Sequence, residues 1–143
     1  MRRYISLVLL PLLVLFLVVG TACRPGRPIN TYSYTVPSDP MHQGMTDKKM
    51  HDAIVQGCVD RGWTPTDPVP GMIEATIVVR GKHTVVVSIP YSYNHYEIKY
   101  KSSVNMEYTV KGDGQKIHPN YNNWTNNLHL AIQHRVNTIN FKK

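Results

Sequence analysis

"MIEATIVVRGKHTVVVSIPYSYNHYEIKY", residues 72–100, decides the fold. Ile73, Ala75, Ile77 and Val79 alternate with Met72, Glu74, Thr76 and Val78, and after Arg80-Gly81-Lys82 the alternation resumes with Val85, Val87 and Ile89. A period of two marks half-buried strands, so the stretch predicts antiparallel strands joined by tight turns. With Asn94 and His95 as the second turn, Tyr93 faces Tyr96, Tyr91 faces Ile98 and Ile89 faces Tyr100, on the face that carries Val85 and Val87. That face reads as core, with Tyr93 and Tyr96 towards its rim, whereas Glu97, Lys99 and Lys101 point the other way. Both turns cannot be regular, because the same residues of the middle strand would have to bond both neighbours. Pro90, which lacks a donor, is the expected bulge; a four-residue turn over Tyr93–Tyr96 is the other resolution.

The flanks of this stretch read as helices. Thr46 offers an N-cap oxygen, Asp47 complements the helix dipole, and Met50, Ala53, Ile54, Gly57 and Cys58 share one face. Gly62 is placed to close that helix in a left-handed conformation, which folds Trp63 back onto the stripe. "TPTDPVPG", residues 64–71, is too proline-rich for a central strand and reads as a loop or short edge strand. Residues 102–116, "SSVNMEYTVKGDGQK", read as a polar loop with Met106 and Tyr108 touching the core. Pro119 suits the first turn of a closing helix in which Tyr121, Trp124, Leu128, Ile132 and either Val136 or Ile139 form a stripe, with Asn122, Asn126, Gln133 and Asn137 facing away. The expected fold is α+β: a helix, an antiparallel sheet of three to four strands and a C-terminal helix, both helices packed on one sheet face.

The N-terminal part concerns address rather than fold. "MRRYISLVLLPLLVLFLVVGTAC" has two arginines, a long uncharged run and small residues before Cys23, the layout of an export signal over residues 1–22. Gly20-Thr21-Ala22-Cys23 resembles the lipobox of bacterial lipoproteins, whose cysteine takes up diacylglycerol and fatty acyl chains such as palmitate. Cleavage after Ala22 without acylation, and an uncleaved membrane anchor, are the alternatives. Residues 23–45, with four prolines between Arg24 and Met45, read as a tether able to hold the domain about 60 Å from the membrane when extended. A single domain then covers residues 46–143.

Together, "AIVQGCVDRGW", "IEATIVVRGKHTVVVSIPY", "YEIKY" with "SSVNMEY", and "IHPNYNNWTNNLHLAI" resemble a group of small proteobacterial lipoproteins of uncharacterised function. The resemblance covers most of the mature domain. It implies an exported, lipid-anchored α+β domain of the bacterial envelope, with no established activity. Arg24 after the cysteine is compatible with sorting to the outer membrane, the domain facing the periplasm.

Charge and motifs narrow the functional classes. The full chain carries 16 Lys and Arg against 9 Asp and Glu, and loss of Arg2 and Arg3 with the leader leaves 14 against 9, a net +5. That balance attracts anionic surfaces but identifies no nucleic-acid site. Neither a phosphate-binding glycine loop nor a nucleophile elbow is present, and the carboxylates are scattered. Seven histidines suggest metal, yet the spacing of His129 and His134 puts them on different sides of a helix, and Asp47 with His51 reads as a solvated pair; neither metal nor cofactor is expected. His118 reads as a helix cap or a partner of a tyrosine. Cys58 lies on an apolar stripe and reads as core; an acylated Cys23 would leave it a lone buried thiol, whereas a free Cys23 would permit a disulfide.

The expected function is therefore a non-catalytic binding or structural accessory module, held to the membrane by lipid on Cys23. Its partner is an envelope protein or an anionic surface. Contact is expected from the hairpin tip, Tyr93, His95 and Tyr96, and from the basic residues Arg80, Lys82, Lys99 and Lys101 on the outer sheet face. The competing reading is a small periplasmic enzyme using Cys58 with a nearby histidine.

Overall fold

A computed structural model of the protein describes residues 25–38, 44–112 and 114–139. The expected leader lies outside them, and no helix among the described residues is long and apolar enough to cross a membrane. In chain order the elements are β1 (Arg27–Pro28), β2 (Tyr32–Thr35), α1 (Asp47–Asp60), β3 (Thr64–Val69), β4 (Met72–Val79), β5 (His83–Ser92), β6 (His95–Val104), β7 (Thr109–Lys111), β8 (Gly114–Ile117) and α2 (Asn120–Ile139). They form a five-stranded antiparallel sheet ordered β2-β6-β5-β4-β3 and a three-stranded one ordered β1-β8-β7. The fold is α+β, with the two helices packed on each other and against one face of the larger sheet.

Helix α1 begins and ends as its sequence dictates. The Thr46 hydroxyl accepts the Lys49 N–H at 3.2 Å. At the other end Gly62, at φ 73°, donates to the Val59 carbonyl at 3.0 Å, and Trp63 donates to the Cys58 carbonyl at 2.9 Å. This paired closure needs the left-handed residue that glycine supplies without strain, and it turns Trp63 into the core. Met50, Ala53, Ile54, Gly57 and Cys58 are the buried residues of the helix.

The β4-β5 hairpin keeps the expected three-residue turn, with Val79 opposite His83. The next turn differs: Ser92 pairs with His95 and Tyr91 with Tyr96, so Tyr93 and Asn94 form it, one residue earlier than expected, and the partner of Tyr91 moves by two, from Ile98 to Tyr96. Because side chains alternate with a period of two, this shift of partners leaves Tyr91, Tyr96, Ile98 and Tyr100 on their expected face, while Tyr93 leaves the strand for the turn. Ile89, Tyr96 and Ile98 are fully buried there. The conflict between the turns is resolved neither at Pro90 nor by a four-residue turn. Val87 pairs with Tyr100 but Val86 with Ser102, which leaves Lys101 over as the bulged residue.

Two further expectations fail. The stretch assigned to a tether contributes β1 and β2, and Val36 is buried in the core. Proline interrupts a strand without preventing short edge pairing, and the alternating "TYSYT" supplies two inward tyrosines, Tyr32 and Tyr34, that pack on the core. Residues 102–116 are not one loop, since β6 runs to Val104 and β7 with β8 makes a hairpin. Met106, before that hairpin, and Ile117, at its end, are buried.

Helix α2 buries Tyr121, Thr125, Leu128, Ala131, Ile132 and Val136. Trp124, expected in the stripe, is only half-buried at its margin. Asn122 does not merely face away. It accepts the Asn30 N–H at 3.0 Å and donates to the Pro28 carbonyl at 2.8 Å, fastening the N-terminal arm to the helix.

Candidate functional site

The tip of the β5-β6 hairpin separates the three aromatic candidates. Tyr93, in the turn, is 56% exposed. With Val36, Met45 and Asn94 it lines a small cleft of about 150 Å³. His95 is half-buried, its Nδ1 2.9 Å from the Thr35 hydroxyl on β2. Tyr96 is fully buried and presents no surface to a partner. Its hydroxyl donates to the His129 carbonyl at 3.2 Å and lies 3.1 Å from His129 Nδ1. Burial raises the phenol pKa of Tyr96 well above the ordinary tyrosine value and lowers that of His129, so both are neutral.

The four basic candidates also divide. Lys99 pairs with Glu97 at 2.7 Å, and Lys101, carried on the bulge, pairs with Glu74 across β5. These two cations are locally balanced. Arg80 and Lys82 occupy the β4-β5 turn at the opposite end of β5 from Tyr93, and neither has an ion-pair partner among the described residues. The basic surface expected over the whole outer face therefore contracts to that turn.

Cys58 is fully buried, and desolvation pushes its thiol up to about 12. A thiolate is the reactive form, so this sulfur is inert at neutral pH.

One cluster was not legible as a site. His51 does not pair with Asp47; its Nε2 lies 3.0 Å from Asp67 on β3 and its Nδ1 3.3 Å from Asp52. Burial disfavours its charged form, but hydrogen bonds and charge from the two carboxylates outweigh this and raise the pKa above 6.5. His51, Asp67 and Tyr91 line an open cleft of about 320 Å³ closed off by Pro68, Val69 and Pro70. The signal was Asp67 inside a proline-rich strand, but only the fold brings it across α1. When protonated, the imidazole between the two carboxylates forms an ion-pair network that ties β3 to α1, with both ring nitrogens engaged. His118 caps α2, accepting the Asn120 N–H on Nδ1 at 3.2 Å. Among the described residues no group of three His, Cys, Asp or Glu side chains is arranged to hold a metal ion.

Comparison with known proteins gave no match to a protein-family model, a curated protein or a solved structure.

Proposed function

We propose that this protein is an exported, lipid-anchored envelope protein that works by non-covalent contact, as a binding or structural accessory module. The observation that carries the reading is the complete burial of Cys58. Of the chain's two cysteines, that one is sealed in the core. A disulfide to Cys23 would require opening the helix-sheet interface, and a nucleophilic role would require a thiolate that desolvation suppresses. Cys23 is the cysteine left for chemistry, and it follows the small residues that a lipid-transfer signal places before its acceptor. The outer membrane, with the domain in the periplasm, is the proposed location.

The geometry favours surface over cleft as the working part. Tyr93 at a hairpin tip is an exposed aromatic held by a rigid strand pair, the type of residue that anchors interfaces. Intact mass of the protein extracted from membranes tests the reading. The expected result is a chain beginning at Cys23 with the added mass of diacylglycerol and acyl groups, and Cys58 as a free thiol. A Cys23 without lipid, or a mass two hydrogens short from a Cys23-Cys58 disulfide, would overturn it.

A further inference from the structure

The chain leaving Cys23 joins the fold almost at once, at the end of the molecule that carries Arg80 and Lys82. Arg27 pairs with Ile117, and the next residue, His118, donates its backbone N–H to the Met106 carbonyl at 2.8 Å. Asn105, beside Met106, donates its side-chain amide to the Lys82 carbonyl at 2.8 Å and accepts from His83 Nδ1 at 2.7 Å. These consecutive contacts place Arg27 and the Arg80–Lys82 turn on one end. Three residues lie between Cys23 and Arg27, and four steps of at most about 3.6 Å each let the leash reach about 14 Å.

That end combines charge with apolar surface. On the outer sheet face beside the turn, register places Val78, Thr84 and Val104 in one row. The two valines are 57% and 58% exposed. Arg80 and Lys82, in the adjacent turn, are exposed, as is Arg27 at the same end, with Glu107 as the acidic residue in the adjoining loop. Arg80 adds an independent observation. Its φ of 54° is left-handed, where Asn or Gly would be less strained, so a long cationic side chain is kept at a position its backbone disfavours. Residues held in such conformations concentrate at working surfaces.

We propose that this corner rests on anionic phospholipid headgroups, with the valine row at the interface and Arg27, Arg80 and Lys82 over phosphates. The proposal rests on the acylation of Cys23. A leash of about 14 Å keeps the corner within two Debye lengths, each about 8 Å, of the surface. The acyl chains hold the protein in the membrane; the cations, each contributing about fivefold near an anionic surface, set its orientation. β5 has ten residues and spans about 33 Å, so this orientation points the Tyr93 cleft away from the membrane towards a partner.

The test uses the full acylated chain carrying Val104→Cys, labelled there with an environment-sensitive fluorophore while Cys58 stays buried. The protein is reconstituted in phosphatidylcholine vesicles with and without phosphatidylglycerol and probed with a neutral aqueous quencher. Quenching is expected to fall several-fold only in the anionic vesicles, and Arg80→Asn with Lys82→Gln to restore it, by about fivefold in docked population per cation. Arg80→Asn is expected to keep or raise the melting temperature, which separates lost docking from lost folding. Equal quenching in both vesicles overturns the proposal, as does shielding seen in native envelopes but not in protein-free vesicles, which would assign the corner to a protein partner. An intact mass without lipid on Cys23 overturns the lipoprotein reading and the proposal with it, whereas a lipidated chain with an unshielded probe overturns the proposal alone.

Discussion

A methyl group at Gly57 would lie 2.7 Å from Ile132 Cγ1 and 2.9 Å from the Ile132 Cα and N. Two of those atoms are backbone, so neither helix can yield by a rotamer change. Gly57→Ala is therefore expected to destabilise the fold by about 1–3 kcal/mol through overpacking, read as a lower urea midpoint with an unchanged slope. Two buried tyrosines give a paired prediction. The Tyr96 hydroxyl is bonded to His129, whereas the equally buried Tyr121 hydroxyl finds no partner among the described residues. Tyr96→Phe should cost about 1 kcal/mol, and Tyr121→Phe should be neutral or stabilising, since it removes an unmet polar group. His51 supplies a pH signature. Its pKa is raised in the fold, so its contribution is complete below about pH 6.5 and is lost as pH rises through the folded-state value. Denaturation midpoints of the wild type should fall across that window, and those of His51→Ala should lack the step.

At the scale of elements, the alternation in residues 72–100 made three central strands legible, and the cap at Thr46 with the glycine at 62 bounded α1. Register was less legible than facing. Moving the β5-β6 turn by one residue shifts the partners beside it by two but leaves the inward residues of β5 and β6 from Tyr91 to Tyr100, Tyr93 apart, on the same side, so hydrophobic pattern cannot detect it. The bulge fell on Lys101 rather than Pro90, because pairing with β6 is already weakened where proline has no N–H, and the ladder there needs no extra residue. The N-terminal arm was hidden by its composition: its prolines signal a linker, while its pairing partners, β6 and β8, lie about 60 to 90 residues away. Asn122 is the clasp for this arm. Asn122→Ala removes both side-chain bonds to residues 28–30 and is expected to speed amide exchange in β2 by about tenfold while leaving α1 unchanged. Equal rates in β2 would mean that sheet pairing alone holds the arm.

For the whole molecule, the two helical stripes and the inner sheet face are used up on one another, which seals Cys58; the proposed binding role then falls to the surface. Of the contact residues read from sequence, Tyr93, Arg80 and Lys82 remain exposed, while Tyr96 is buried and Lys99 and Lys101 are paired. Sequence pattern ranks residues by face and charge. It does not reveal which carboxylate a lysine meets across a strand, nor which of two hairpin tyrosines the turn swings outward. The arm also shortens the free chain: on the proposed acylation of Cys23, the first paired residue, Arg27, would lie within about 14 Å of the lipid. The most direct test of a sealed core is alkylation of Cys58 at neutral pH over a series of urea concentrations. The account predicts that native labelling is slowed at least about a thousandfold relative to the unfolded chain and that its rate follows global unfolding. Rapid labelling of the native protein, independent of urea, would contradict it.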